Sequence, residues 1–383
     1  MTKHIVMFLT NAYQPDTRVQ REAYALAEAG YQVTIICWDR QKEFPAREQD
    51  GAVHIHRVHD VPSAYGSGWR QLFYLPRFWR RAIQIGRELQ PDAVHCHDLD
   101  TLYIGRQLKR QLNIPLVYDA HEHYPALMSL YLPPFMVWGL VKWEQLLMSS
   151  ADHIFTASTV LQDEFKTVVQ VPVQTIGNYA NLHTFAQSTE AERLALRSRL
   201  DVREDQLLVA FIAKLSRNRQ IIPLIEAAAL VPDVEFHLWG DGLQKDEVEA
   251  AVANYPNAQW HGWINPSELP VYFHAADVMY YCLRTDYQGA IYNAPNTLSQ
   301  AMSTATPIIA NRVGDLGRIV SATNCGLLLD EVTPEAIALA VEQLKDPQLR
   351  QMLGQNGQAA AQEQYNDAFN AQILGQAYQS LIG

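Results

Sequence analysis

The chain has 383 residues, of which 48% are hydrophobic, so it can bury a large core and favours two domains over one. Its formal net charge of -11 excludes general nucleic-acid binding, which needs a basic surface to displace counterions from phosphates. Any site for an anion must therefore be a local cluster of cations.

Cysteine spacing and apolar runs indicate the compartment. Cys37, Cys96, Cys282 and Cys325 lie far apart without a CxxC motif, so we expect buried free thiols in a reducing cytoplasm. The N-terminal MTKHIVMFLTNAYQPD lacks a cleavage-type ending and is predicted to be a first strand, not a signal peptide. Residues 125–141 are apolar, but a Pro-Pro pair interrupts them, so no transmembrane helix is predicted there.

The first half of the chain alternates short apolar runs with helical periods. HIVMFLT, RVQREAYALAEAG and YQVTIICW together predict a β-α-β unit. A second cycle consists of DAVHCHD, LDTLYIGRQLKRQLN and IPLVYDAHEH, and two short strands follow at ADHIFTAS and VQTIGN. This alternation predicts a parallel sheet with helices on both faces and ligands at the carboxyl ends of the strands.

A polar run between about residues 185 and 205 is the predicted domain junction. Six strands follow it at LLVAFIAKL, VEFHLWGDG, AQWHGWI, DVMYYCL, TPIIAN and CGLLLD, with helical periods between them. Residues 365–383 have a helical period and no strand after them. We predict two α/β domains with doubly wound parallel sheets, at residues 1–185 and 186–364.

Two strand ends of the second half suit an anionic ligand. Lys214 and Arg219 follow the first strand closely enough to bind one pair of phosphates, although a solvated polar loop is the alternative. Gly240 and Gly242 in the GDG sequence allow a backbone to approach a ligand closely, and a simple turn explains them equally well.

A third candidate lies in APNTLSQAMSTATPIIA, at the start of a predicted helix. The first free N–H groups of this helix belong to Thr297, Leu298 and Ser299. Such N–H groups and the helix dipole favour phosphate, whereas an ordinary N-cap by Asn296 is the alternative. Because three such ends occur in successive units, we predict a phosphate site.

The first half instead places histidines and carboxylates at its strand ends. They are Asp16, Arg18, Arg21, His95, His97, Asp98, Asp119, His121, Glu122 and His123. These side chains suit hydrogen bonds to sugar hydroxyls, and zinc is the alternative. His95 and His97 point to one face of a strand, but neither HxHD nor DxHEH supplies a tetrahedral ligand set by itself, so no metal is predicted. Hydrolase, P-loop and dinucleotide-binding signatures are absent.

One segment of the acidic chain, residues 66–89, is basic and aromatic. Its arginines and its aromatic residues alternate in GSGWRQLFYLPRFWRRAIQIGREL. A helix with this composition suits an anionic membrane surface or a lipid-linked acceptor. Packing of the aromatic rings into the first domain, with the arginines outward, is the alternative. The predicted location is cytoplasmic, with the inner membrane face as a peripheral site under the first interpretation.

These motifs resemble the GT-B glycosyltransferases of the large retaining family 4 over nearly the full chain. In the first half, DTRVQRE, HCHD and YDAHE match the pattern of one subgroup. In the second half, FIAKLSRNRQ, the GDG turn and WHGWINPSELPVYFHAADV match in order and spacing. The resemblance implies the GT-B fold, in which two Rossmann-like domains face a cleft and the C-terminal helix, here residues 365–383, crosses back to the first domain.

The resemblance also implies a function. The chain is expected to transfer a sugar from a nucleotide-sugar donor to a glycan or lipid-linked acceptor, with retention and without a metal or cofactor. Lys214 and Arg219 are expected to stabilise the leaving diphosphate. His121 is expected to contact the donor sugar or the positive charge that develops near its C1. The other implied donor contacts are Gly240, Gly242, Asn296, Thr297, Leu298 and Gln300, and the implied acceptor or sugar contacts are Asp16, Arg18, His97, Asp98 and Glu122.

The donor site departs from the family pattern at several positions, which include Ala213, Gln220 and Tyr292 as well as the start of the helix predicted in APNTLSQAMSTATPIIA. The subgroup has lysine and glutamate where this chain has Thr297 and Gln300. Glutamine can still form a hydrogen bond to ribose, but it lacks the negative charge of glutamate. This difference is expected to weaken donor binding about ten-fold. A GT-B protein that binds a nucleotide, glycan or partner subunit without transfer is therefore the main alternative, and an epimerase or phosphorylase is a further one.

Overall fold

The computed structural model describes residues 2–14, 16–63, 71–129, 131–286 and 288–383. Residues 66–70 of the basic and aromatic segment lie outside the described residues. The chain divides into two compact units. Unit 1 comprises Met1–Gly177 and Asn370–Gly383, and unit 2 comprises Asn178–Phe369.

The border between the units differs from the predicted domain border. Residues 178–185, which were predicted in the first domain, belong to unit 2, where the Ala180 N–H donates to Ser299 Oγ over 2.7 Å. The chain re-enters unit 1 at Asn370, whose side-chain Nδ2 donates to the Gly177 carbonyl over 2.7 Å. The C-terminal segment thus packs with the first unit because its polar and apolar contacts are there.

The strands of unit 1 are β1 (His4–Leu9), β2 (Gln32–Trp38), β3 (Arg47–Asp50), β4 (Val53–Val58), β5 (Ala93–His97), β6 (Leu116–Ala120), β7 (His153–Thr156) and β8 (Val173–Thr175). Its helices are α1 (Thr17–Glu28), α2 (Gln71–Leu89), α3 (Leu99–Leu112), α4 (Tyr124–Met128), α5 (Pro134–Met148) and α6 (Thr159–Lys166).

The strands of unit 2 are β9 (Leu208–Ile212), β10 (Glu235–Trp239), β11 (Ala258–Trp260), β12 (Val278–Tyr281), β13 (Ile308–Asn311) and β14 (Gly326–Leu329). Its helices are α7 (Leu182–Phe185), α8 (Glu190–Arg199), α9 (Ile222–Ala227), α10 (Lys245–Val252), α11 (Leu269–Ala275), α12 (Asn296–Ser303), α13 (Gly314–Thr323), α14 (Pro334–Gln343) and α15 (Pro347–Glu363). The last helix, α16 (Asp367–Ile382), begins in unit 2 and continues in unit 1.

Each unit contains one open sheet in its described residues. The order is β3-β4-β2-β1-β5-β6-β7-β8 in unit 1 and β11-β10-β9-β12-β13-β14 in unit 2. The strand pairs are parallel except for β3 with β4, so the predicted alternation of strands and helices is confirmed. The winding direction reverses between β1 and β5 in one sheet and between β9 and β12 in the other. Ligands of such sheets bind at these reversal points.

Helix α2 contains the described part of the basic and aromatic segment. Phe78 is fully buried and stacks on Trp38, with 5.0 Å between the ring centroids. Trp79 donates from Nε1 to the Asp100 carbonyl over 2.6 Å. These two rings pack inward, as one of the two interpretations predicts, whereas Phe73 is 60% exposed.

Helix α5 follows the Pro-Pro pair and is apolar on its exposed side. Phe135 is 74% exposed and Trp138 is 66% exposed, and Met136 and Leu146 are exposed as well. In the described part of the chain, the structure contains no helix with the length and apolar character to cross a membrane.

All four cysteines are free and buried, as predicted.

Candidate active site

A cavity of about 940 Å³ lies at the carboxyl ends of β9, β10, β11 and β12 in unit 2. This volume is within the usual range for small-molecule sites, about 300–1,000 Å³. The cavity lies where the winding of the sheet reverses, since β9 has β10 on one side and β12 on the other. The predicted residues that line it are Lys214, Arg219, Gly240, Gly242, Asn296, Thr297 and Gln300.

The cavity wall is locally cationic. Its Lys, Arg, Asp and Glu side chains, among the described residues, are Lys214, Arg219 and Asp241. Arg219 donates from Nη1 to Ser216 Oγ, and its Cζ lies 5.4 Å from the centroid of the Tyr281 ring. Neither cation forms an ion pair with a carboxylate in the part of the chain that the structure describes. Both therefore remain available to an anionic ligand.

The two glycines of GDG allow a close contact between backbones. Gly240 has a φ of 141°, and a Cβ there would lie 1.9 Å from the Ala213 carbonyl oxygen. Gly242 has a φ of 153°, and a Cβ there would lie 2.2 Å from the Leu215 carbonyl oxygen. Both positions thus exclude larger residues because the loop after β10 packs directly on the loop after β9.

The start of α12 leaves its first N–H groups without a side-chain cap. Pro295 is the N-cap residue and makes no capping hydrogen bond, and Asn296 is the first helical residue instead of the cap. Thr297 is buried and donates from Oγ1 to the Ile212 carbonyl over 3.2 Å, which joins α12 to the end of β9. Leu298 packs in the core and does not line the cavity, so only its backbone remains a candidate contact.

Part of the cavity wall has no role in the sequence analysis. Trp239, Tyr281 and Asn293 line the cavity, as does Trp263, which is 65% exposed. Gln300, in contrast, is an implied donor contact, and its side-chain amide makes no hydrogen bond within the described residues. The sequence does contain a signal for Trp263, because this tryptophan follows β11 in the same way that the GDG turn follows β10.

A buried ion pair organises the predicted residues of unit 1. Arg18 is 8% exposed, and its Nη2 donates to Asp119 Oδ1 over 2.7 Å. His121 Nε2 lies 3.0 Å from Asp119 Oδ2 and 3.0 Å from His97 Nδ1. His97 pairs in register with Asp119 across β5 and β6, which places both side chains on one face of the sheet. Arg18, His97 and His121 are therefore brought together.

The charge of His121 follows from its neighbours. Burial disfavours the imidazolium, but the carboxylates of Asp98 and Asp119 outweigh this effect and raise the pKa of His121 to about 9. Burial also opposes ionisation of Asp119, yet Arg18 and His121 hold the pKa of that carboxyl well below its usual range. A protonated His121 donates hydrogen bonds, and the carboxylates of Asp98 and Asp119 offset its charge. Both expected roles of His121, a contact to the donor sugar and a contact to the charge that develops near its C1, stay predictions.

The remaining predicted residues of unit 1 have partners within the unit or face solvent. Asp98 has a φ of 60°, unusual for a residue with a Cβ, and its Oδ1 accepts from the His121 N–H over 3.0 Å. Asp16 is the N-cap of α1, and its Oδ1 accepts from the Val19 N–H over 3.2 Å. Glu122 is exposed. Their contacts with sugar or acceptor stay predictions.

Two family models match consecutive parts of the chain. Residues 15–178 match a glycosyl transferase 4-like domain, and residues 192–360 match the glycosyl transferases group 1 domain. The first match lies almost entirely in unit 1 and the second entirely in unit 2. The chain is a family 4 glycosyltransferase with the GT-B fold. The expected family and fold are thus confirmed.

Other glycosyltransferases are similar over most of their length. An uncharacterised glycosyltransferase of Methanocaldococcus jannaschii is 23% identical over 90% of this chain and 88% of its own. A GDP-mannose-dependent alpha-mannosyltransferase of Mycolicibacterium smegmatis is 25% identical over 84% of this chain and 82% of its own. The structure of sucrose-phosphate synthase from Thermosynechococcus elongatus superposes with a TM-score of 0.83 at 21% identity, over 99% of both chains.

Replacing Gly240 tests the contact between the two loops of this glycosyltransferase. We expect Gly240→Ala to lower the free energy of unfolding of unit 2 by about 1–3 kcal/mol, because the new Cβ meets the Ala213 carbonyl at a positive φ. Gly139→Ala in α5 is the control, since nothing lies within 4 Å of its Cβ position. This control is expected to stabilise by up to about 1 kcal/mol. Urea unfolding of both variants makes the comparison, and equal effects would contradict the expected contact.

Proposed function

We propose that this glycosyltransferase binds a nucleotide-sugar in the cavity of unit 2 and transfers the sugar, with retention, to a glycan or lipid-linked acceptor. The observation that carries the proposal is the pair of cations without carboxylate partners beside the uncapped start of α12. In a protein with a net charge of -11, such a cationic wall suits a diphosphate. The name of the GDP-mannose-dependent relative agrees with a donor of this class.

The leaving diphosphate gains negative charge as the glycosidic bond breaks. Lys214 and Arg219 are placed to stabilise that charge, and the N–H groups at the start of α12 add the positive end of a helix dipole. Because these groups are fixed before the reaction, they need no reorganisation as charge develops. The charge stabilisation that transfer needs is therefore available from the chain itself, and we propose that the transfer step uses no metal.

The rest of the cavity suits the nucleoside. Trp263 offers an exposed indole face on which a base can stack, and Trp239 and Ile264 extend the apolar wall. Gln300 offers an amide to the ribose hydroxyls. Its replacement of glutamate costs a charge but keeps a hydrogen bond, so the proposal is an active enzyme with a weakened ribose contact.

Removing either cation tests the diphosphate site. We expect Lys214→Met and Arg219→Met each to weaken binding of the preferred nucleoside diphosphate by about 10- to 100-fold, since each removes a charge-assisted hydrogen bond. Binding of the free nucleoside should change little. Arg312→Met is the matched control, because Arg312 is exposed, lies outside the cavity and pairs with Asp330 over 2.7 Å.

Titration calorimetry with UDP, GDP, ADP and their nucleosides provides the measurement, followed by product detection with the matching nucleotide-sugars. Absence of binding by every nucleotide would overturn the proposal. Tight binding without turnover across many acceptors would favour a protein that binds without transfer.

Restoring the missing charge tests the ribose contact. We expect Gln300→Glu to tighten binding of the nucleotide-sugar about ten-fold, because a carboxylate accepts stronger hydrogen bonds from ribose hydroxyls than an amide does. Gln362→Glu on the exposed side of α15 adds the same charge outside the cavity and serves as the control. Equal affinities in both variants would remove the ribose assignment.

A lipid-linked acceptor is favoured by the exposed side chains of α2 and α5. The two helices meet through Trp79 and Trp143, whose ring centroids are 5.9 Å apart. Their exposed side chains combine apolar residues with arginine, which suits the interface of an anionic membrane. We call this the α2–α5 surface, defined by Phe73, Arg77, Arg80, Phe135 and Trp138.

Vesicle sedimentation tests the α2–α5 surface. We expect binding to vesicles that contain anionic phospholipid and weaker binding to purely zwitterionic ones. Arg77→Gln with Arg80→Gln should weaken binding about 25-fold, from roughly 1 kcal/mol per arginine, and Phe135→Ser with Trp138→Ser should also weaken it. Val168→Ser is the control, because Val168 is an exposed apolar residue of unit 1 that follows α6. Unchanged sedimentation of both double variants would remove the membrane part of the proposal.

A further inference from the structure

Four buried side chains of unit 1 form a cluster that lies outside the donor cavity of unit 2. They are Glu22, His95, His97 and Asp119, and each offers one ligand atom within 4.8 Å of those of the other three. None of the four is more than 5% exposed. The set therefore consists of two imidazoles and two carboxylates in the interior of the protein.

Strand pairing and helix position explain why these residues meet. His95 and His97 lie two residues apart on β5, so both point to the same face of the sheet, and their rings stack at 4.3 Å. Asp119 on β6 pairs in register with His97. Glu22 comes from α1, one turn after Arg18. Three different elements thus supply the four side chains.

Several polar atoms of the cluster have no hydrogen-bond partner within the described residues. They are both ring nitrogens of His95, Nε2 of His97 and both carboxylate oxygens of Glu22. Buried polar atoms are nearly always paired, because each unpaired one costs about 1–3 kcal/mol. A bound cation would accept a lone pair from one nitrogen of each ring and from one oxygen of Glu22.

Arg18 orients both carboxylates. Glu22 Oε1 lies 3.2 Å from Arg18 Nε, and Asp119 Oδ1 accepts from Arg18 Nη2 over 2.7 Å. The second oxygen of each carboxylate faces a histidine: Glu22 Oε2 is 3.9 Å from His95 Nε2, and Asp119 Oδ2 is 3.4 Å from His97 Nδ1. Asp119 Oδ2 also accepts from Arg18 Nε over 3.2 Å and lies 3.0 Å from His121. Outer partners of this kind fix the orientation of metal ligands.

We propose that Glu22, His95, His97 and Asp119 bind a structural Zn²⁺ ion. Imidazole and carboxylate ligands in a set of four match tetrahedral zinc, and their complete burial matches a closed structural site. Bonds of about 2.0–2.1 Å place tetrahedral ligand atoms roughly 3.4 Å apart, so separations of up to 4.8 Å in the cluster shorten by up to about 1.4 Å on binding.

The ion joins β5, β6 and α1 at the point where the winding of the sheet reverses. It also fixes His97 and Asp119, two of the residues that contact His121. This inference is independent of the proposed transfer, whose charge stabilisation lies in unit 2. It departs from the sequence-based prediction of no metal, which considered HxHD and DxHEH separately and did not include Glu22.

Metal loading of the full chain tests the site. After removal of metals with a chelator, we expect titration calorimetry to show one tightly bound Zn²⁺ per chain and a rise in the unfolding temperature. Co²⁺ should give the intense visible absorption of a four-coordinate ion. His95→Gln and Glu22→Gln should each weaken Zn²⁺ binding at least about 10- to 100-fold.

His153→Gln is the matched control, because His153 is a buried histidine of unit 1 with an unpaired Nε2 and lies outside the cluster. It should keep one Zn²⁺ per chain. Absence of stoichiometric Zn²⁺ binding by the wild-type chain, or its retention in both cluster variants, would overturn the proposal. The wild-type Co²⁺ spectrum decides the question even where a variant fails to fold. Nucleotide binding in unit 2 is measured separately. A negative result for zinc in unit 1 therefore does not affect the test of the nucleotide-sugar site, and the reverse also holds.

Discussion

The burial of one guanidinium constrains most of unit 1. A charge that leaves water without partners costs several kcal/mol, so Arg18 requires acceptors from everything packed around it. It finds them on β6 in Asp119 and after β8 in the Ile176 carbonyl, 2.7 Å from Nη1, and it forms an ion pair with Glu22 on its own helix. These contacts fix α1 over the carboxyl ends of the central strands. The histidine and carboxylate cluster lies at that place because of this constraint.

In unit 2, backbone contacts bring the loops around the cavity together. The loops after β9 and β10 touch closely enough that only glycine fits at two positions, and Thr297 joins the start of α12 to the end of β9. Lys214 and Arg219 supply the positive charge of the cavity. The Arg219 side chain contacts uncharged groups among the described residues, namely Ser216 and the Tyr281 ring. A net acidic protein can therefore present an anion site, since the site depends on local geometry and not on net charge.

The order of strands and helices could be predicted because buried parallel strands and amphipathic helices have distinct periods. The pairing of β3 with β4 could not be predicted. Strand β3, with the sequence REQD, lies at the sheet edge, is polar throughout and has no apolar alternation. Lys214, Arg219 and the glycines of GDG, which were predicted at strand ends, line one cavity. Leu298 was predicted through its N–H group, and its side chain packs in the core. The contact between Glu22 and His95 depends on how α1 crosses the sheet. A local sequence pattern does not determine this crossing, so the contact could not be predicted.

The buried thiols have a practical consequence for the dynamics of the two units. Cys37 and Cys96 lie in unit 1, and Cys282 and Cys325 lie in unit 2, each in the interior. A thiol reagent reaches them only when the surrounding structure opens, and the free energy of such opening varies along a protein. The rates at which the two pairs are modified therefore report the opening of each unit separately. The native sequence thus contains internal probes for asking which half of the enzyme a ligand or ion makes more rigid.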